Sequence, residues 1–544
     1  MEIKMSDERT PFRLEDISKP TEQWSHVENE DLMPLPAPLD DKSKEPPWRA
    51  LSAEAKTKYA TDLDDTLLLN IPRPKTKEEE REVIRKFLSG LEKLFSEANN
   101  WPFLQPLLLT IEHCVNCQTC SDACHIFEAS GENPIYRPTC RAEVLRRIYY
   151  NYLKPGGRFF GKWRHGEIDL TWHTVTRLAE LSYRCNLCRR CAQVCPIGAD
   201  NGLIAREIRK LFSQELDIHT PELHDNGAVL QLKVGSSTGM NPLVVKDNIQ
   251  FIDEDTAEKT GFKLETPWDV EGADVLLIHN AGEIMAWPEN PAAFAIVLEA
   301  AGIKWTLSSE AGDGLGYDSI NYGLFYDDFM LAKVVLKHAK AAKKLGVKKI
   351  VLGECGHAHK AFTVIADRIL TGDLNIPRES AIVLLRDIVV NDRIGLDPSR
   401  NDFPVTLHDP CNMVRLMGIV EPQREILRKI TPKFREMEPH GVHNYCCGGG
   451  SGFAIHSRHN FEDWRFKLSG RKKLAQILNA FQDCLGPETP KYVCAPCSNC
   501  KGQLRDILKY YRLWETQRIK YGGLVELIVN AMADVRPGFI DWEQ

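Results

Sequence analysis

The sequence predicts a chain of two fold types, an α-helical segment followed by a duplicated α/β region. Residues 270–535 alternate short apolar strands with helical patterns, which is typical of βαβ units around parallel sheets. Weak internal similarity divides this region into two halves. The segment before it, residues 110–215, carries two groups of four cysteines and ends with the helical pattern of residues 202–212. We therefore expect a helical domain followed by two similar α/β halves packed together.

Each element is assigned from its apolar pattern. Ahead of the cysteines, residues 76–98 have apolar side chains at helical spacing, which predicts an amphipathic helix. The strand candidates in the α/β region are residues 273–280, 303–308, 348–354, 404–409 and 491–495. The helix candidates lie near residues 290–301, 326–345, 360–371, 421–430, 463–482 and 501–511.

The internal repeat rests on three pairs of segments. They are residues 275–283 with 405–412, 308–314 with 445–452, and 351–360 with 493–501. The second copy keeps its cysteines, whereas the first has Cys355 alone. We interpret the region as two related halves, the first of which has lost its ligands.

Composition limits the classes of protein. The 544 residues include 69 Lys and Arg and 76 Asp and Glu, so the formal net charge is −7. This balance argues against nucleic acid as the main partner. No stretch approaches the roughly 18 apolar residues of a membrane-spanning helix, and the N-terminal sequence lacks the apolar core of a signal peptide. We expect a cytoplasmic protein that contacts a membrane only through partners.

The cysteines carry most of the functional information. There are 17 of them, an odd number, and most fall into three groups. A disulfide framework would need an oxidising compartment and a small domain, so thiolate–metal chemistry is the better interpretation. The first group is Cys114, Cys117, Cys120 and Cys124, and the second is Cys185, Cys188, Cys191 and Cys195.

Both early groups read C-x2-C-x2-C-x3-C, and Pro196 follows the second. This is the run of bacterial two-cluster ferredoxins, in which the fourth cysteine ligates the other cluster. We therefore assign Cys114, Cys117, Cys120 and Cys195 to one [4Fe–4S] cubane. The other cubane receives Cys185, Cys188, Cys191 and Cys124. Structural zinc prefers separated C-x2-C pairs, so three cysteines in a tight row, twice, favour iron–sulfur. His125, in place of the trailing proline of the first run, is expected to pack or face solvent, with tuning of the cluster potential as the alternative.

The third group has the form C-x34-C-C-G-x48-C-x2-C and lies near the C-terminal end. It resembles the cysteine-rich CCG domain of heterodisulfide reductases, where five thiolates bind a noncubane cluster. The resemblance implies that the catalytic ligands are Cys411, Cys446, Cys447, Cys497 and Cys500. Cys494 could replace one of the final pair.

The roles of several residues near this third group are left open between alternatives. The glycines after Cys447 would let the backbone approach the cluster closely, and they lack the Gly-Lys-Ser/Thr ending of a phosphate loop. His408 and Asp409 are either support and proton-relay groups or structural residues. His357, His359 and Cys355 occupy the equivalent place in the first half, where we expect a structural role. No role is assigned to Cys140 or Cys484, and Cys140 is expected to be a free thiol.

Two ferredoxin-type clusters followed by one CCG half is also the layout of D-type heterodisulfide reductases. Segments 353–360 and 494–504 sharpen that match, and the chain resembles the DsrK family, the iron–sulfur catalytic subunits of DsrMKJOP complexes, together with the D-type subunits of Hdr-like menaquinol-oxidising complexes. The resemblance covers about residues 75–535. It implies two [4Fe–4S] cubanes, one noncubane cluster, a DsrM-like cytochrome b partner in the membrane, the other DsrMKJOP-type subunits, and the protein DsrC as substrate.

The activity that the resemblance implies belongs to dissimilatory sulfur metabolism. Electrons from quinol would reach the CCG cluster through the cubanes, and the disulfide or trisulfide of DsrC would be reduced or formed there. The sequence leaves the direction of electron flow open. Three alternatives remain: a reductase of small heterodisulfides, the iron–sulfur subunit of a 2-hydroxy-acid oxidoreductase with a flavin partner, and an electron-transfer scaffold without a substrate site.

These interpretations divide the chain into four regions. Residues 1–75, polar and rich in proline, are expected to form an extended arm that grips a partner. Residues 76–215 form the two-cluster ferredoxin-type domain. Residues 216–395 form the degenerate CCG-like half, and residues 396–544 form the CCG half that binds the catalytic cluster.

Overall fold

The computed structural model of the chain describes residues 12–20, 24–25, 27–96, 107–310 and 317–543. Parts of three expectations lie outside these residues. They are the start of the N-terminal arm, the last two residues of the helix expected over residues 76–98, and much of the repeat segment at residues 308–314.

The N-terminal part and the two early cysteine runs are helical. The amphipathic helix is confirmed as α2 (Lys77–Phe95), which Thr76 caps by accepting a hydrogen bond from the Glu79 amide. Its apolar face buries Phe87, Leu91 and Leu94. The helices of this part are α1 (Ala53–Lys58), α2 (Lys77–Phe95), α3 (Leu107–His113), α4 (Thr119–Asp122), α5 (His125–Ala129), α6 (Pro138–Ile148), α7 (Gly157–His165), α8 (Trp172–Ser182), α9 (Arg190–Val194) and α10 (Asn201–Leu216).

The first α/β half contains a four-stranded parallel sheet in the order β2-β1-β3-β4. Its strands are β1 (Val275–Ile278), β2 (Trp305–Thr306), β3 (Lys349–Leu352) and β4 (Arg378–Ser380). Its helices are α11 (Leu230–Val234), α12 (Pro242–Thr260), α13 (Ala281–Ala286), α14 (Glu289–Ala300), α15 (Asp328–Leu345), α16 (Gly356–His359) and α17 (Ala381–Val390).

The second α/β half contains a sheet in the order β6-β5-β7-β8, also parallel throughout. Its strands are β5 (Val405–Leu407), β6 (Phe434–Arg435), β7 (Lys491–Cys494) and β8 (Ile519–Gly522). Its helices are α18 (Cys411–Leu416), α19 (Glu421–Ile430), α20 (Phe461–Trp464), α21 (Arg471–Ala480), α22 (Ser498–Tyr510), α23 (Leu513–Gln517) and α24 (Leu524–Ala531). The two sheets therefore have the same strand order, and the expectation of a mixed α/β protein with parallel sheets is confirmed.

The structure departs from the predicted elements in two ways. It adds β4, β6 and β8, which are two to four residues long and carry charged side chains, so they give no apolar signal. It also replaces or interrupts two predicted helices with turns that are not α-helical. In place of the helix expected over residues 360–371, Lys360–Ile365 form a π-turn and Ala366–Arg368 form a 3-10 turn. In the other, α20 and α21 are separated by the π-turn Arg465–Ser469.

Two apolar cores use opposite faces of the first sheet. Leu276 and Ile278 face the helical domain, whereas Val275 and Leu277 face a core that the second sheet shares. Such burial of both faces is what parallel sheets require. Within the described residues, no helix is long and apolar enough to span a lipid bilayer.

The described part of the N-terminal arm packs on the chain itself. Ile17, Leu32 and Leu63 are buried in the core of the helical domain. The Arg49 side chain pairs with Asp463 at 2.8 Å, which ties the arm to the second α/β half. Its scattered leucines and isoleucines thus bury apolar surface within this chain, and contact of the arm with a partner stays a prediction.

Candidate metal centres

The two early cysteine runs form loops of matching backbone shape. Asn116 and Gln118 have φ angles of 55° and 66°, and Leu187 and Arg189 have φ angles of 53° and 61°. These residues stand two and four positions after the first cysteine of each run. Left-handed conformations are uncommon for residues other than glycine and cluster at ligand clamps. The repetition indicates that both loops curl around a centre in the same way.

The thiols of the first run meet a cysteine from the second run. Cys114, Cys117, Cys120 and Cys195 line a single pocket. Burial raises the pKa of the Cys120 thiol to about 12, and the neighbouring thiols of Cys114, Cys124 and Cys195 contribute to that rise. Thiolates this close repel one another unless a cation lies between them, so the donor set fits an iron–sulfur unit.

The second run receives a cysteine from the first. Burial raises the pKa of Cys191 well above its usual range, as do Asp200 and the thiols of Cys188, Cys185 and Cys124. Burial likewise raises the pKa of Cys124 to about 11, with Cys188 and Cys185 as contributing neighbours. The structure thus brings together both exchanged sets of four cysteines that the sequence predicts.

The third group gathers at one edge of the second sheet. Cys411 begins α18 after β5, and Cys497 precedes α22 after β7. Because β5 and β7 are adjacent and parallel, both cysteines follow the carboxyl edge of the sheet, where ligands bind in α/β folds. Cys446 and Cys447 come from the loop between β6 and α20, and Cys500 lies in the first turn of α22.

These five thiols are close enough to interact. Hydrogen bonds from Cys446 and Cys500 hold the pKa of Cys447 well below its usual range, despite its burial. Conversely, the pKa of Cys500 lies well above that range because of its bonds with Cys447 and Cys497. His408 joins them, with its Nε2 3.2 Å from the Cys500 Sγ. The ligand atoms of His408, Cys447 and Cys500 all lie within 4.8 Å of one another.

One cysteine of the second run contacts the third group directly. Hydrogen bonding to Cys446 holds the pKa of Cys188 well below its usual range, and the same bond raises the pKa of Cys446 well above its own. The Arg415 side chain, which lies on α18, also donates a hydrogen bond of 2.8 Å to the Cys188 carbonyl. The second run and the third group are therefore neighbours.

The glycines after Cys447 allow close packing around these thiols. Gly448 has a φ of 95°, and a Cβ atom there would lie 2.6 Å from the Gly470 Cα. The Gly448 and Gly449 amides donate to the sulfur atoms of Cys446 and Cys447, each at 3.4 Å. Backbone amides aimed at sulfur stabilise thiolates and tune the potentials of iron–sulfur clusters.

The remaining cysteines lie outside the three groups. Cys494 faces the core shared by the two sheets, while its neighbours Val493 and Ala495 face the cysteine side of the second sheet. The structure therefore does not bring Cys494 to the third group, because side chains alternate along a strand. Cys140 is buried in α6, where burial raises its pKa to about 12. Cys484 is half-buried beside Arg435.

Residues of the first half form hydrogen bonds at the third group, although none of the five predicted ligands lies in the first half. The Gly356 amide donates to the Cys497 Sγ at 3.4 Å, and the Ser451 amide donates to the His357 Nε2 at 3.4 Å. Burial lowers the pKa of His357 and of His359 to about 4, so both are neutral at pH 7. Burial is the main cause that raises the pKa of Cys355, and the neighbouring Cys497 thiol raises it further.

Sequence reasoning missed a buried lysine beside these thiols. Lys473 donates to Asn444 Oδ1 and Gln476 Oε1, each at 2.6 Å. Burial lowers its pKa to about 7, against the opposing effects of Asp409, Cys447, Cys446 and Cys500. A lysine on a helix normally indicates a solvated face, so no pattern in the sequence singles out this position.

A second buried lysine, Lys501, lies between the two halves. Its Nζ is 3.4 Å from the Glu283 carboxylate and 3.6 Å from that of Glu526. Burial raises the pKa of Glu283 to about 7 and that of Glu354 to about 8, although Lys501 lowers both. Asn290 donates to Glu354 and Glu526 at 3.1 Å and 3.2 Å. This charged cluster connects the first half to the second immediately behind Cys500.

Asp409 has a structural partner. Arg424 donates two hydrogen bonds to its carboxylate, at 2.8 Å and 2.7 Å. Burial acts to raise the pKa of Asp409, but the Arg424 guanidinium overcomes it and holds the pKa below its usual range. Asp409 is therefore an ionised carboxylate in a fixed ion pair, which favours the structural interpretation over proton relay.

A cavity of about 140 Å³ lies near the third group, and Lys360 is one of the residues that line it. Burial lowers the pKa of Lys360 to about 8, and the nearby Cys411 thiol opposes this change. Leu187 of the second run, Leu416 of α18 and Ile365 of the first half contribute to its walls. Four cationic side chains also line it, with one acidic residue, Asp200. These cations are Arg189, Arg206, Lys360 and Arg368.

Comparisons with known proteins agree with this arrangement. Residues 110–199 match the family model of the 4Fe-4S dicluster domain, and residues 405–505 match that of the cysteine-rich domain CCG. These matches confirm the predicted order of the two cysteine-bearing domains.

Curated relatives extend the similarity along the chain. The chain is 26% identical to the Hdr-like menaquinol oxidoreductase iron-sulfur subunit 2 of Archaeoglobus fulgidus over 92% of this chain and 95% of that protein. It is 27% identical to the Hdr-like menaquinol oxidoreductase iron-sulfur subunit of Archaeoglobus profundus over 77% and 79% of the two chains. It is 26% identical to the D subunit of the dihydromethanophenazine:CoB--CoM heterodisulfide reductase of Methanosarcina acetivorans over 63% and 79%. The protein is thus an iron–sulfur oxidoreductase similar to heterodisulfide reductases.

Proposed function

We propose that the chain is the DsrK-like catalytic subunit of a membrane-bound, quinone-linked complex. It would exchange electrons with quinol through a DsrM-like cytochrome b partner, alongside the other DsrMKJOP-type subunits. At the third cysteine group it would reduce, or form, the disulfide or trisulfide of DsrC in dissimilatory sulfur metabolism. The observation that carries the electron route is the contact between Cys188 of the second run and Cys446 of the third group, whereas the choice of DsrC as substrate rests on the resemblance of the sequence.

The ligand sets follow from the neighbouring thiols. Cys114, Cys117, Cys120 and Cys195 would hold one [4Fe–4S] cubane. Cys124, Cys185, Cys188 and Cys191 would hold the other. Cys411, Cys446, Cys447, Cys497 and Cys500 would hold a noncubane cluster. When bound, the cubanes would supply single electrons and the third cluster the two-electron chemistry of an S–S bond.

The protein groups around the third set have separable roles. The Gly448 and Gly449 amides and the buried Lys473 would stabilise negative charge on sulfur. His408, with Nε2 3.2 Å from the Cys500 Sγ, can hold or donate a proton there. The cavity lined by Lys360 would admit an anionic thiol substrate beside Cys411.

We further propose that residues 216–395 and 396–544 are two copies of one ancestral unit. The shared strand order of the two sheets supports the duplication. In the first copy, Cys355 remains where Cys497 stands in the second, and Ala358 stands in place of Cys500. The first copy would therefore act as a support, through the Gly356 amide and the buried histidines. Residues 1–75 would be an N-terminal arm whose described part packs on the helical domain and on the second copy, and residues 76–215 would be the two-cluster domain.

Two other activities remain as candidates. Similarity to the D subunit of a CoB--CoM heterodisulfide reductase favours small heterodisulfides as substrates, but it covers less of the chain than the Hdr-like similarity does. The other candidate is the iron–sulfur subunit of a 2-hydroxy-acid oxidoreductase with a flavin partner, and the chain is also 21% identical to a probable iron-sulfur-binding oxidoreductase of Bacillus subtilis. The contact of the third group with the second run is common to all of these candidates.

The test uses the full chain purified without oxygen and reduced chemically. We expect it to reduce DsrC trisulfide and to leave CoM–CoB heterodisulfide largely unchanged. A Cys447→Ser variant should lose this activity, while Cys484→Ser, a thiol outside the three groups, should keep it. Turnover of the small heterodisulfide without turnover of DsrC would reject the DsrC assignment. Full activity in Cys447→Ser would reject the third group as the reaction site.

A further inference from the structure

Helix α7 exposes an unusual number of large aromatic side chains. Phe159 is 87% exposed, Phe160 is 59% exposed and Trp163 is 83% exposed. We call these three residues the aromatic face. Soluble proteins rarely present several large aromatic side chains together to water, and such patches mark interaction sites.

The opposite side of α7 packs through glycine. A Cβ atom at Gly161 would lie 2.6 Å from the Asn151 Oδ1 and 2.8 Å from the Tyr150 carbonyl oxygen. A Cβ atom at Gly157, one turn earlier, would also clash with the Tyr150 carbonyl oxygen. The helix therefore lies tightly on the preceding segment with its glycine side. At about 100° per residue, the three aromatic side chains fall on the outward side.

The charge around the helix points to one class of partner. Residues 154–165 contain Lys or Arg at four positions and no Asp or Glu, in a chain whose net charge is −7. A short helix with Trp and Phe on one side and surplus basic residues is typical of segments that lie in the headgroup region of anionic bilayers. With nine residues, about 14 Å long, α7 is too short to cross a bilayer.

The position of α7 relates this surface to the first cysteine run. Lys154 pairs with Glu112 on α3 at 3.5 Å, and the Tyr150 hydroxyl donates to the same carboxylate at 3.4 Å. Helix α3 leads directly into Cys114. Nearby, Leu109 is 49% exposed and Val115 is 71% exposed. Exposed apolar side chains thus occur on α7, on α3 and in the loop of the first pocket.

We propose that the aromatic face of α7 enters the interfacial region of an anionic lipid surface, so that this chain itself contacts the membrane. The contact holds the first cysteine run close to the bilayer, on the side where a membrane partner would exchange electrons. It does not depend on the substrate at the third group. It differs from the expectation that membrane contact is made only through partners.

The test is vesicle flotation of the anaerobically purified full chain. Vesicles of phosphatidylglycerol and phosphatidylcholine in equal parts are compared with vesicles of phosphatidylcholine alone. We expect the wild type to float with the anionic vesicles and to bind the neutral ones at least several-fold less. Binding should weaken at 1 M salt, where the Debye length falls to about 3 Å.

Two variants and a matched control identify the contact. Replacing Phe159, Phe160 and Trp163 together by Ala should lower the bound fraction at least tenfold. The double variant Lys162→Glu with Arg164→Glu should lower binding to anionic vesicles while leaving all the aromatic residues in place. The control replaces three other exposed apolar residues by Ala and should bind like the wild type. These are Leu243, Phe251 and Phe329, at 73%, 70% and 62% exposure.

Each variant is accepted only if its visible spectrum and iron content match the wild type. Because the replaced side chains are exposed, we expect these to be unchanged. Failure of the wild type to float would overturn the proposal. So would flotation of the aromatic variant at the wild-type level, or loss of binding in the control. An aromatic variant that alters only self-association without lipid would assign the face to a protein partner and also reject the proposal.

Discussion

The side-chain amide of Asn186 donates a hydrogen bond to the carbonyl oxygen of Gly448, with nitrogen and oxygen 2.9 Å apart. Asn186 lies between Cys185 and Cys188, and Gly448 directly follows Cys447. The Ser469 hydroxyl donates to the Asn186 Oδ1 at 2.8 Å and fixes the orientation of the amide. This bond connects the loop of the second run to the loop of the third group.

The first prediction concerns this connection. Asn186→Ala removes the amide donor to Gly448 and Gly450, whose carbonyls keep the Ser469 hydroxyl and the Phe453 amide as donors, so the loss should cost roughly 0.5–1.5 kcal/mol for each hydrogen bond. We expect a lower thermal midpoint and slower reoxidation of the reduced protein by substrate in stopped-flow measurements. Val115→Ala, at the same offset in the first run, serves as the control. Unchanged reoxidation in Asn186→Ala would show that the bond does not position the two loops.

The second prediction concerns Lys473. Burial lowers the pKa of Lys473 to about 7, so the amine carries its positive charge beside the third thiol group below that pH. Lys473→Met removes this charge, so reduction there should become harder at pH 6. We expect the midpoint potential of that site to fall by roughly 50–100 mV, which corresponds to one charge roughly 7–14 Å away at an effective dielectric of about 20. An EPR-monitored redox titration measures it.

Two controls accompany the titration. Lys473→Arg keeps the charge and should restore most of the potential, and the exposed Lys509→Met should leave it unchanged. An equal shift in the Lys509 variant would mean that the effect is not local.

The third prediction concerns Lys501. Lys501→Met leaves the carboxyl groups of Glu283, Glu354 and Glu526 buried without a cation, which costs about 3–5 kcal/mol when a buried pair is broken. We expect a lower thermal midpoint than in the wild type. Lys509→Met should again have little effect.

The pH dependence of that loss has a definite sign. The pKa of Glu354 is raised to about 8 and that of Glu283 to about 7, so the folded chain binds more protons than the unfolded chain between about pH 4.5 and 8. The stabilising contribution of the protonated carboxyls is complete below about pH 4.5 and is lost as the pH rises to about 8. The destabilisation by Lys501→Met should therefore be larger at pH 8 than at pH 6. A loss that is larger at pH 6 would contradict the predicted protonation of these groups.

Much of the metal-binding arrangement could be predicted because cysteine spacing is local information. The exchange of Cys124 and Cys195 between the two runs follows from a known ferredoxin pattern, and the thiol neighbours agree with it. His408 could be singled out because it lies close to Cys411 at the end of a predicted strand. The sequence left Cys494 open because strand alternation decides it only once the register of β7 is known.

Other features depend on contacts that are distant in sequence. Lys473 and Lys501 read as ordinary solvated lysines, and only the packing of the two halves shows them to be buried. Asn186 has no motif of its own, since its partner lies 262 positions later. The apolar residues of the N-terminal arm are too scattered to predict burial, and the three strands that were not predicted have no apolar run.

The fourth prediction concerns the cavity beside Cys411. Lys360→Gln should raise the KM for an anionic thiol substrate several-fold, because it removes one cation from the lining while leaving every predicted cysteine ligand in place. The cluster spectra should be unchanged. Lys340→Gln, on the exposed side of α15, is the matched control. A change in kcat alone, with KM constant, would indicate that Lys360 does not contact substrate.

The most direct test of the central claim is the iron and acid-labile sulfide content of anaerobically purified protein, measured for the wild type and for Cys446→Ala with Cys447→Ala. The account predicts about twelve irons per wild-type chain, as two cubanes plus a four-iron third cluster would require. The double variant should keep about eight irons and both cubane EPR signals but lose disulfide reduction. Equal iron content in the two proteins, or zinc at the third group, would contradict it.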